Sequence, residues 1–178
     1  MLGLLLGLVA VAAASPKPII PPPPPCPELL IRAWDVGSIV RGLGVAGYKP
    51  QFMMTRQGKP FVVSATNGDD FSIDYYDCDD EAKKIGCKAL LSGSYYPAQP
   101  DLTASLSNEF TKKSMYGRAY LGDTGRLEFA FPIVTDDGVS QVQFKIWLDW
   151  FTLADRDLDQ IVVDALAASN ASGKPPSR

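Results

Sequence analysis

The sequence contains no histidine among its 178 residues. Histidine is the commonest general base near neutral pH and the commonest metal ligand in proteins. Its absence excludes the serine and cysteine nucleophile systems that use an imidazole base. A structural zinc site needs four ligands from Cys and His, and the chain has only three cysteines. We therefore expect no catalytic triad, no metal centre and no cofactor.

Runs of lysine or arginine are also missing. The chain carries 17 basic and 20 acidic residues, which gives a formal net charge of −3 and a sequence pI near 4.9. Nucleic acid-binding domains typically present a basic patch, so nucleic acid is not an expected partner. Apolar residues make up 46% of the sequence, which is enough to build the core of one domain of ordinary size.

Long hydrophobic runs are confined to residues 1–14, MLGLLLGLVAVAAA. This run is shorter than the ~20 residues needed to span a bilayer, and it ends in small residues that fit a signal-peptide cleavage site. We interpret it as a cleaved signal peptide, which predicts a periplasmic or secreted protein without a transmembrane segment after cleavage. The alternative is an uncleaved leader that tethers the chain to the envelope.

Proline dominates residues 15–27, SPKPIIPPPPPCP. Proline fixes φ and favours an extended polyproline helix, so this segment is interpreted as a semi-rigid linker. The alternative is a docking peptide for an aromatic groove. At the other end of the chain, the polar residues 169–178 predict a disordered tail. Residues 28–168 remain as the folded domain.

Hydrophobic periodicity predicts an α+β domain with a central antiparallel sheet. A helical pattern follows Asp35, a plausible N-cap, and strand-like runs then alternate with turns such as Asn67-Gly68. Pro132 predicts that the end of the last strand lies at an edge or bulge. A break in the final helix is expected near Ala154-Asp155. The predicted strands are 51–56, 60–66, 69–77, 89–96, 116–121 and 126–134; the predicted helices are 36–43, 102–113 and a long one from Gly138.

Gly42 to Gly47 formally matches the dinucleotide-binding pattern G-x-G-x-x-G. That mechanism requires a strand before the glycines and a helix N-terminus after them, where the pyrophosphate binds. Here the glycines end a helical pattern, and Tyr48-Lys49-Pro50 prevents a second helix. We interpret the motif as a false match.

Cys78 and Cys87 bracket an acidic segment. In an exported protein, two cysteines at this separation predict a local disulfide. The alternative, a redox-active pair, typically has the spacing C-x-x-C. A calcium site is the alternative for the nearby carboxylates, but they lack the EF-hand spacing, and a solvated acidic loop is favoured. These carboxylates are Asp74, Asp77, Asp79, Asp80 and Glu81.

The last long helical pattern is apolar on two adjacent stripes. One stripe carries Val139, Val142, Ile146, Trp150 and Leu153, and the other carries Phe144, Trp147, Leu148 and Phe151. Together they form a wide face suited to lying across a sheet. Aromatic side chains dominate interface energies, so the expected anchors for a partner are Tyr120, Trp147, Trp150 and Phe151. The alternative for each is a place in the core.

The order of elements and several short motifs resemble the YbjN family of bacterial proteins, which are labelled sensory transduction regulators. The resemblance covers roughly residues 33–165. It implies a fold like that of type III secretion chaperones, with helices packed on one face of the antiparallel sheet, a periplasmic setting and no established enzymatic activity. Asn108 lies where the family has an asparagine-rich N-x-W-N helix, although this chain lacks the tryptophan and the second asparagine. The matching residues are Gly47-Tyr48, Gly58, Gly68 to Phe71, Cys78, Cys87, Gly117 to Leu121 and Asp137 to Val139.

Taken together, these observations predict an exported, non-catalytic binding or regulatory domain that recognises a protein or peptide in the cell envelope. Chaperones of the implied fold also dimerise, so a homodimer is a further expectation, and Asn108 joins the candidate binding residues. One alternative is an envelope-tethered structural protein. The other is a hydrolase that uses paired carboxylates within residues 102–151. The candidates are Glu109, Asp123, Glu128 and Asp149.

Overall fold

The computed structural model describes residues 30–66 and 68–171. The predicted signal peptide, the proline-rich linker with Cys26, and residues 172–178 of the predicted tail lie outside them. The described part is an α+β domain, which confirms the predicted class. Its elements are β1 (Leu30–Ile31), α1 (Val36–Val45), β2 (Gln51–Met54), β3 (Pro60–Thr66), β4 (Asp69–Tyr76), β5 (Ala89–Tyr96), α2 (Ala104–Lys113), β6 (Arg118–Leu121), β7 (Leu127–Val134), β8 (Val139–Ser140) and α3 (Gln141–Ala171).

Six strands form one sheet in the order β2-β3-β4-β5-β7-β6, and every neighbouring pair is antiparallel. Strands β2 to β5 follow one another across the sheet as a meander. Thr66 pairs with Asp69 across a two-residue turn, and Gly68 there has φ +98°, as the hairpin signal predicts. β1 and β8 pair separately as a short two-stranded sheet.

All three helices pack on one face of the six-stranded sheet, as predicted. Side chains alternate between the two faces of a strand, and cross-strand partners share a face. The pairs Ile73↔Ser92 and Ser92↔Phe131 therefore mark the helix-covered face. The buried strand residues on this face are Val62, Ser64, Phe71, Ile73, Tyr75, Leu90, Ser92, Ala119, Leu127, Phe129 and Phe131. No helix covers the opposite face in the described part of the chain.

Asp35 caps α1, because its side chain accepts a hydrogen bond from the backbone N–H of Ser38 at 3.2 Å. The glycines of the false dinucleotide motif end this helix, and β2 is the next element. Gly42 serves packing instead: a Cβ there would lie 2.6 Å from Ile31 Cδ1 and 3.2 Å from the Phe144 ring. The close approach of α1 to β1 and α3 thus requires glycine at this position.

Pro132 lies where β7 becomes an edge strand. β6 pairs only with the first half of β7, from Leu121↔Leu127 to Arg118↔Ala130. Beyond Ala130, one side of β7 has no strand partner among the described residues. Proline has no backbone N–H to donate to a ladder, so it is tolerated at such an edge. The prediction for Pro132 is confirmed.

The last helix differs from its prediction at three points. Val139–Ser140 form β8, so α3 begins at Gln141, and the helix runs on through residues 169–171 of the predicted tail. The expected break near Ala154-Asp155 is wrong, because the helix is continuous there. Both residues are only 5% exposed and pack toward the sheet, so a buried aspartate, not a break, interrupts the apolar pattern. No helix within 30–66 and 68–171 is long and apolar enough to cross a bilayer.

Phe151 seats α3 on the sheet. Its side chain is fully buried, its ring stacks on Phe129 of β7 with centroids 5.6 Å apart, and it contacts Phe71 of β4 at 5.1 Å. Phe110 of α2 approaches Phe129 edge-on at 5.3 Å. Each pair of this kind contributes about 0.5–1.5 kcal/mol beyond the burial of its area. These contacts fix both the position and the rotation of the helix.

Cys78 and Cys87 form a disulfide across a separation of nine residues, which confirms the predicted bond. It closes the acidic loop between β4 and β5. Carboxylates of this loop pair with lysines of the loop or of its end, as in a solvated segment: Lys83–Asp80 at 3.6 Å, Lys84–Glu81 at 2.5 Å and Lys88–Asp79 at 3.9 Å.

We expect replacement of Cys78 and Cys87 by alanine to lower the free energy of unfolding by about 2–3 kcal/mol, because the unfolded chain loses a short covalent loop. Urea unfolding with and without a thiol reductant measures the effect. Reductant should destabilise the wild-type chain and a Cys26→Ala control, but not the double variant. An equal effect of reductant on all three proteins would contradict a structural role for this bond.

Candidate functional site: an apolar groove beside helix α3

Only one of the two apolar stripes of α3 is covered by the rest of the fold. Phe144, Leu148 and Phe151 are fully buried. The other stripe stays open: Val142 is 64% exposed, Ile146 48%, Trp150 42% and Leu153 51%. Spacings of three and four residues place these four side chains on one helix face. An exposed contiguous apolar surface of this kind typically marks a binding site.

A loop between α2 and β6 forms the opposite wall. Tyr116 packs against Trp150 with ring centroids 4.1 Å apart, and Met115 beside it is 84% exposed. Two open hollows meet at this aromatic pair. The first, about 400 Å³, includes Met115 and Leu153 in its lining. The second, about 340 Å³, is lined by Phe131, Pro132, Ile146 and Trp147 among others. We call the two hollows together the α3 groove.

Gly117 allows this wall to stand where it does. It has φ +75°, and a Cβ at this position would lie 2.6 Å from Phe129 Cε2 and 2.8 Å from Phe131 Cδ2. Only glycine therefore lets the loop descend onto the phenylalanines of β7. Ser114, just after the end of α2, donates a hydrogen bond to the Tyr116 carbonyl at 2.6 Å. Both features hold Tyr116 beside Trp150.

Trp147 contributes a polar group next to the second hollow. The residue is 6% exposed, and its indole N–H is buried without an acceptor among the described residues. A buried indole N–H usually has a hydrogen-bond partner. This N–H has almost no accessible surface, so Trp147 adds apolar surface to the groove and no donor that a ligand can reach.

Charges near the groove are few and mostly paired. Lys113 lies 3.0 Å from Glu109, and Lys145 lies 2.7 Å from Asp149. Asp157 lines the far end of the first hollow and has no ion-pair partner among the residues described. The groove therefore suits an apolar partner with a positive charge near one end.

The structure does not assemble the five predicted binding residues into one site. Trp150 is exposed in the groove, and Trp147 lines it while being mostly buried. Phe151 is a core residue, so it cannot contact a partner, and the core alternative holds for it. Tyr120 lies on the helix-free sheet face opposite Glu128. Asn108 is exposed on α2 and is not among the residues lining the groove.

Several residues of the groove are not among the binding residues predicted from the sequence. Met115 and Tyr116 follow α2 directly, and the latter was assigned to a strand that in fact begins at Arg118. The available signal was two large apolar residues followed by Gly117 at a helix end, where turn residues are the norm. Ile146 and Leu153 were recognised as a stripe but were expected to cover the sheet.

A separate cavity of about 310 Å³, lined mostly by polar residues, lies where α3 crosses β5. Asp155 accepts a hydrogen bond from the Ser94 hydroxyl at 2.5 Å, and the Tyr96 hydroxyl donates to Asp159. Asp69 and Asp70 line the same cavity. Burial raises the pKa of Asp155 to about 6, with the Ser94 hydrogen bond opposing this and the negative charges of Asp159 and Asp69 adding to it. No sequence motif predicts this cluster of carboxylates.

The four carboxylates predicted for a hydrolase are not brought together. Glu109 on α2 and Asp149 on α3 each pair with a lysine one turn away. Glu128 on β7 lies opposite Tyr120, and Asp123 belongs to the turn between β6 and β7. None of the four lines either hollow of the groove or the Asp155 cavity.

Comparison with known proteins gives no family model that matches the chain and no match among curated proteins. Among solved structures, the chain is similar to the crystal structure of YbjN, a proposed transcription regulator from E. coli. The TM-score is 0.49 and the sequence identity 17%, over 81% of this chain and 96% of that one. This is a likeness of fold, and membership of the YbjN family stays a prediction.

We expect Asp155→Asn to stabilise the protein above neutral pH. The pKa of Asp155 is raised from 3.8 to about 6, so the folded state binds this proton more tightly than the unfolded chain. Its contribution to stability is complete below about pH 4 and is lost as the pH rises through about 6. The variant should exceed the wild type by about 1–3 kcal/mol at pH 8, and the gap should narrow at pH 4.

Urea unfolding at both pH values measures this difference. Asp164→Asn, an exposed change on the same helix, serves as the control and should follow the wild type. If the stability of Asp155→Asn depended on pH in the same way as that of the wild type, the raised pKa of Asp155 would be contradicted.

Proposed function

We propose that this protein is an exported, non-catalytic binding domain that receives an extended, proline-rich peptide segment of a protein partner in the α3 groove. The observation that carries the proposal is the uncovered stripe of α3 with Trp150 beside Tyr116. A structural disulfide supports the export, because such bonds persist in oxidising compartments. An envelope-tethered structural role remains the alternative if the leader is not cleaved.

Proline-rich segments fit the chemistry of this groove. They dock into grooves lined by aromatic rings, since the polyproline helix is formed before binding and loses little entropy. Proline has no backbone N–H, so such a segment offers carbonyl acceptors without matching donors. The apolar linings of both hollows suit pyrrolidine rings.

The length of the exposed stripe of α3 also fits a short extended peptide. Val142 and Leu153 are eleven residues apart on α3, which corresponds to ~16 Å along the helix axis. A polyproline helix rises ~3.1 Å per residue, so about five residues cover this distance. The predicted ligand is therefore a run of roughly five residues in the polyproline conformation.

We expect Trp150→Ala to weaken binding of an acetylated decaproline peptide by at least about ten-fold, because truncating a central aromatic anchor typically costs ~2 kcal/mol or more. Isothermal titration calorimetry measures the affinity in full-length chains that all carry alanine at residues 21–25, so that the chain's own prolines cannot compete. Trp34→Ala is the matched control, since Trp34 is 55% exposed and does not line the groove. The Trp34→Ala protein should bind decaproline with the same affinity as the chain that keeps both tryptophans.

The proposal is contradicted if decaproline binds neither the wild-type chain nor a chain in which residues 21–25 are alanine. Binding of an amphipathic helical peptide instead, sensitive to Trp150→Ala, would show that the groove is a site for a different class of partner.

A carboxylate-based hydrolase is the second candidate, and the Asp155 cavity favours it. There a carboxyl whose pKa is raised to about 6 lies near a second carboxylate, Asp159, and such pairs serve as acid and base in glycoside hydrolysis. This function predicts turnover of p-nitrophenyl glycosides that is lost in Asp155→Asn and retained in Trp150→Ala. Without turnover by the wild-type chain, this candidate is excluded for that substrate class.

A further inference from the structure

We propose that the α3 groove is occupied by the chain's own proline-rich segment, residues 16–25, which runs back along α3 and competes with outside peptides. This inference rests on the proposed function of the groove and adds its regulation. Residues 16–25 lie outside the described part of the chain.

The described chain begins beside the start of α3. Leu30 pairs with Ser140 and Ile31 with Val139, in antiparallel register. Going back along the chain from Leu30 therefore continues past Ser140 in the direction of Gln141, the first residue of α3. The segment before β1 thus leaves the small sheet at the end where α3 starts.

The distances are short enough for the segment to bind its own domain. Pro25 is five residues before Leu30, a reach of up to ~17 Å in extended chain. Val142 is the second residue of α3, so Pro25 can reach the start of the stripe without any movement of the domain. From there, residues 25 to 21 span roughly the ~16 Å from Val142 to Leu153.

The side chains of the segment match the groove in order. Seven of the residues 16–25 are proline, and five of these are consecutive. In this direction the five prolines lie along Ile146 and Trp150. Ile19 and Ile20 then reach the apolar first hollow.

The charges match as well. Lys17 is the only charged residue of the segment, and Asp157 lines the far end of the first hollow without an ion-pair partner among the described residues. Lys17 precedes Pro25 by eight residues, ~25 Å in the polyproline conformation. Asp157 follows Val142 by fifteen residues, ~22 Å along the helix. The two charges therefore meet when the prolines cover the stripe.

The test compares decaproline binding to three full-length proteins by calorimetry. The first is the wild type, and the second carries alanine at Pro21, Pro22, Pro23, Pro24 and Pro25. The third carries Pro175→Ala and Pro176→Ala, the same chemical change beyond the other end of α3. A short tether gives an effective concentration on the order of mM, so the second protein should bind decaproline at least about ten-fold more tightly than the other two.

Each outcome separates this inference from the proposed function. Equal, measurable affinities in all three proteins would overturn the inference and leave the groove a receptor for outside peptides. No binding to any of the three would overturn the proposed function itself.

A charge exchange tests the register of the segment. Lys17→Glu alone and Asp157→Lys alone should each open the groove and strengthen decaproline binding, and the double exchange should restore the wild-type affinity. If the two single substitutions each strengthen decaproline binding and their effects add in the double variant, the proposed direction of the segment along α3 is overturned. A dimer of the wild type that the five-alanine protein does not form, seen by sedimentation, would place the segment on a second copy and overturn the intramolecular form.

Discussion

The stack of Phe151 on Phe129, with Phe71 on its other side, sets the rotation of α3 on the sheet. Helix α3 carries two adjacent apolar stripes, and one helix cannot bury both against a single flat layer. Once Phe151 is fixed at the centre of the core, the stripe containing Phe144 and Leu148 is buried and the stripe containing Trp150 faces outward. The exposed stripe is thus a direct consequence of how the core packs.

Exposure alone does not make a groove, and the second wall depends on a different constraint. The loop after α2 can pack onto β7 only because Gly117 has no side chain to collide with Phe129 and Phe131. Its close approach brings Tyr116 against Trp150 and creates a hollow on either side. The sheet core therefore determines both walls of the groove, since Phe129 supports Phe151 beneath one wall and limits the residue at position 117 beneath the other.

Further along α3, the same helix lies over polar groups of β5. Ser94 and Tyr96 donate hydrogen bonds to Asp155 and Asp159, which keeps the second half of the helix on the sheet without further aromatic contacts. Burial of the Asp155 carboxylate opposes folding at neutral pH, and its hydrogen bond offsets part of that cost. These hydrogen bonds explain why α3 continues through Asp155, where its apolar periodicity is interrupted.

Local signals explain how much of the fold could be predicted. The strands β3 and β5 and the turn at 67–68 follow from alternation and turn chemistry within a few residues, and Asp35 follows from capping chemistry. The candidate site was predicted less well. Trp150 is an expected anchor and is exposed in the groove. Phe151 belongs to the core, and Tyr120 lies on the other face of the sheet. Tyr116 precedes the strand that its sequence pattern predicts.

The sequence by itself determined that α3 would be apolar over a wide face, that the two cysteines would close a short loop, and that no imidazole chemistry is available. Each of these depends on residue type and spacing alone. Only the tertiary structure decided which stripe of α3 stays exposed, because that choice depends on contacts with β4 and β7, far away in sequence. The same holds for the pairing of Tyr116 with Trp150, which no local pattern encodes.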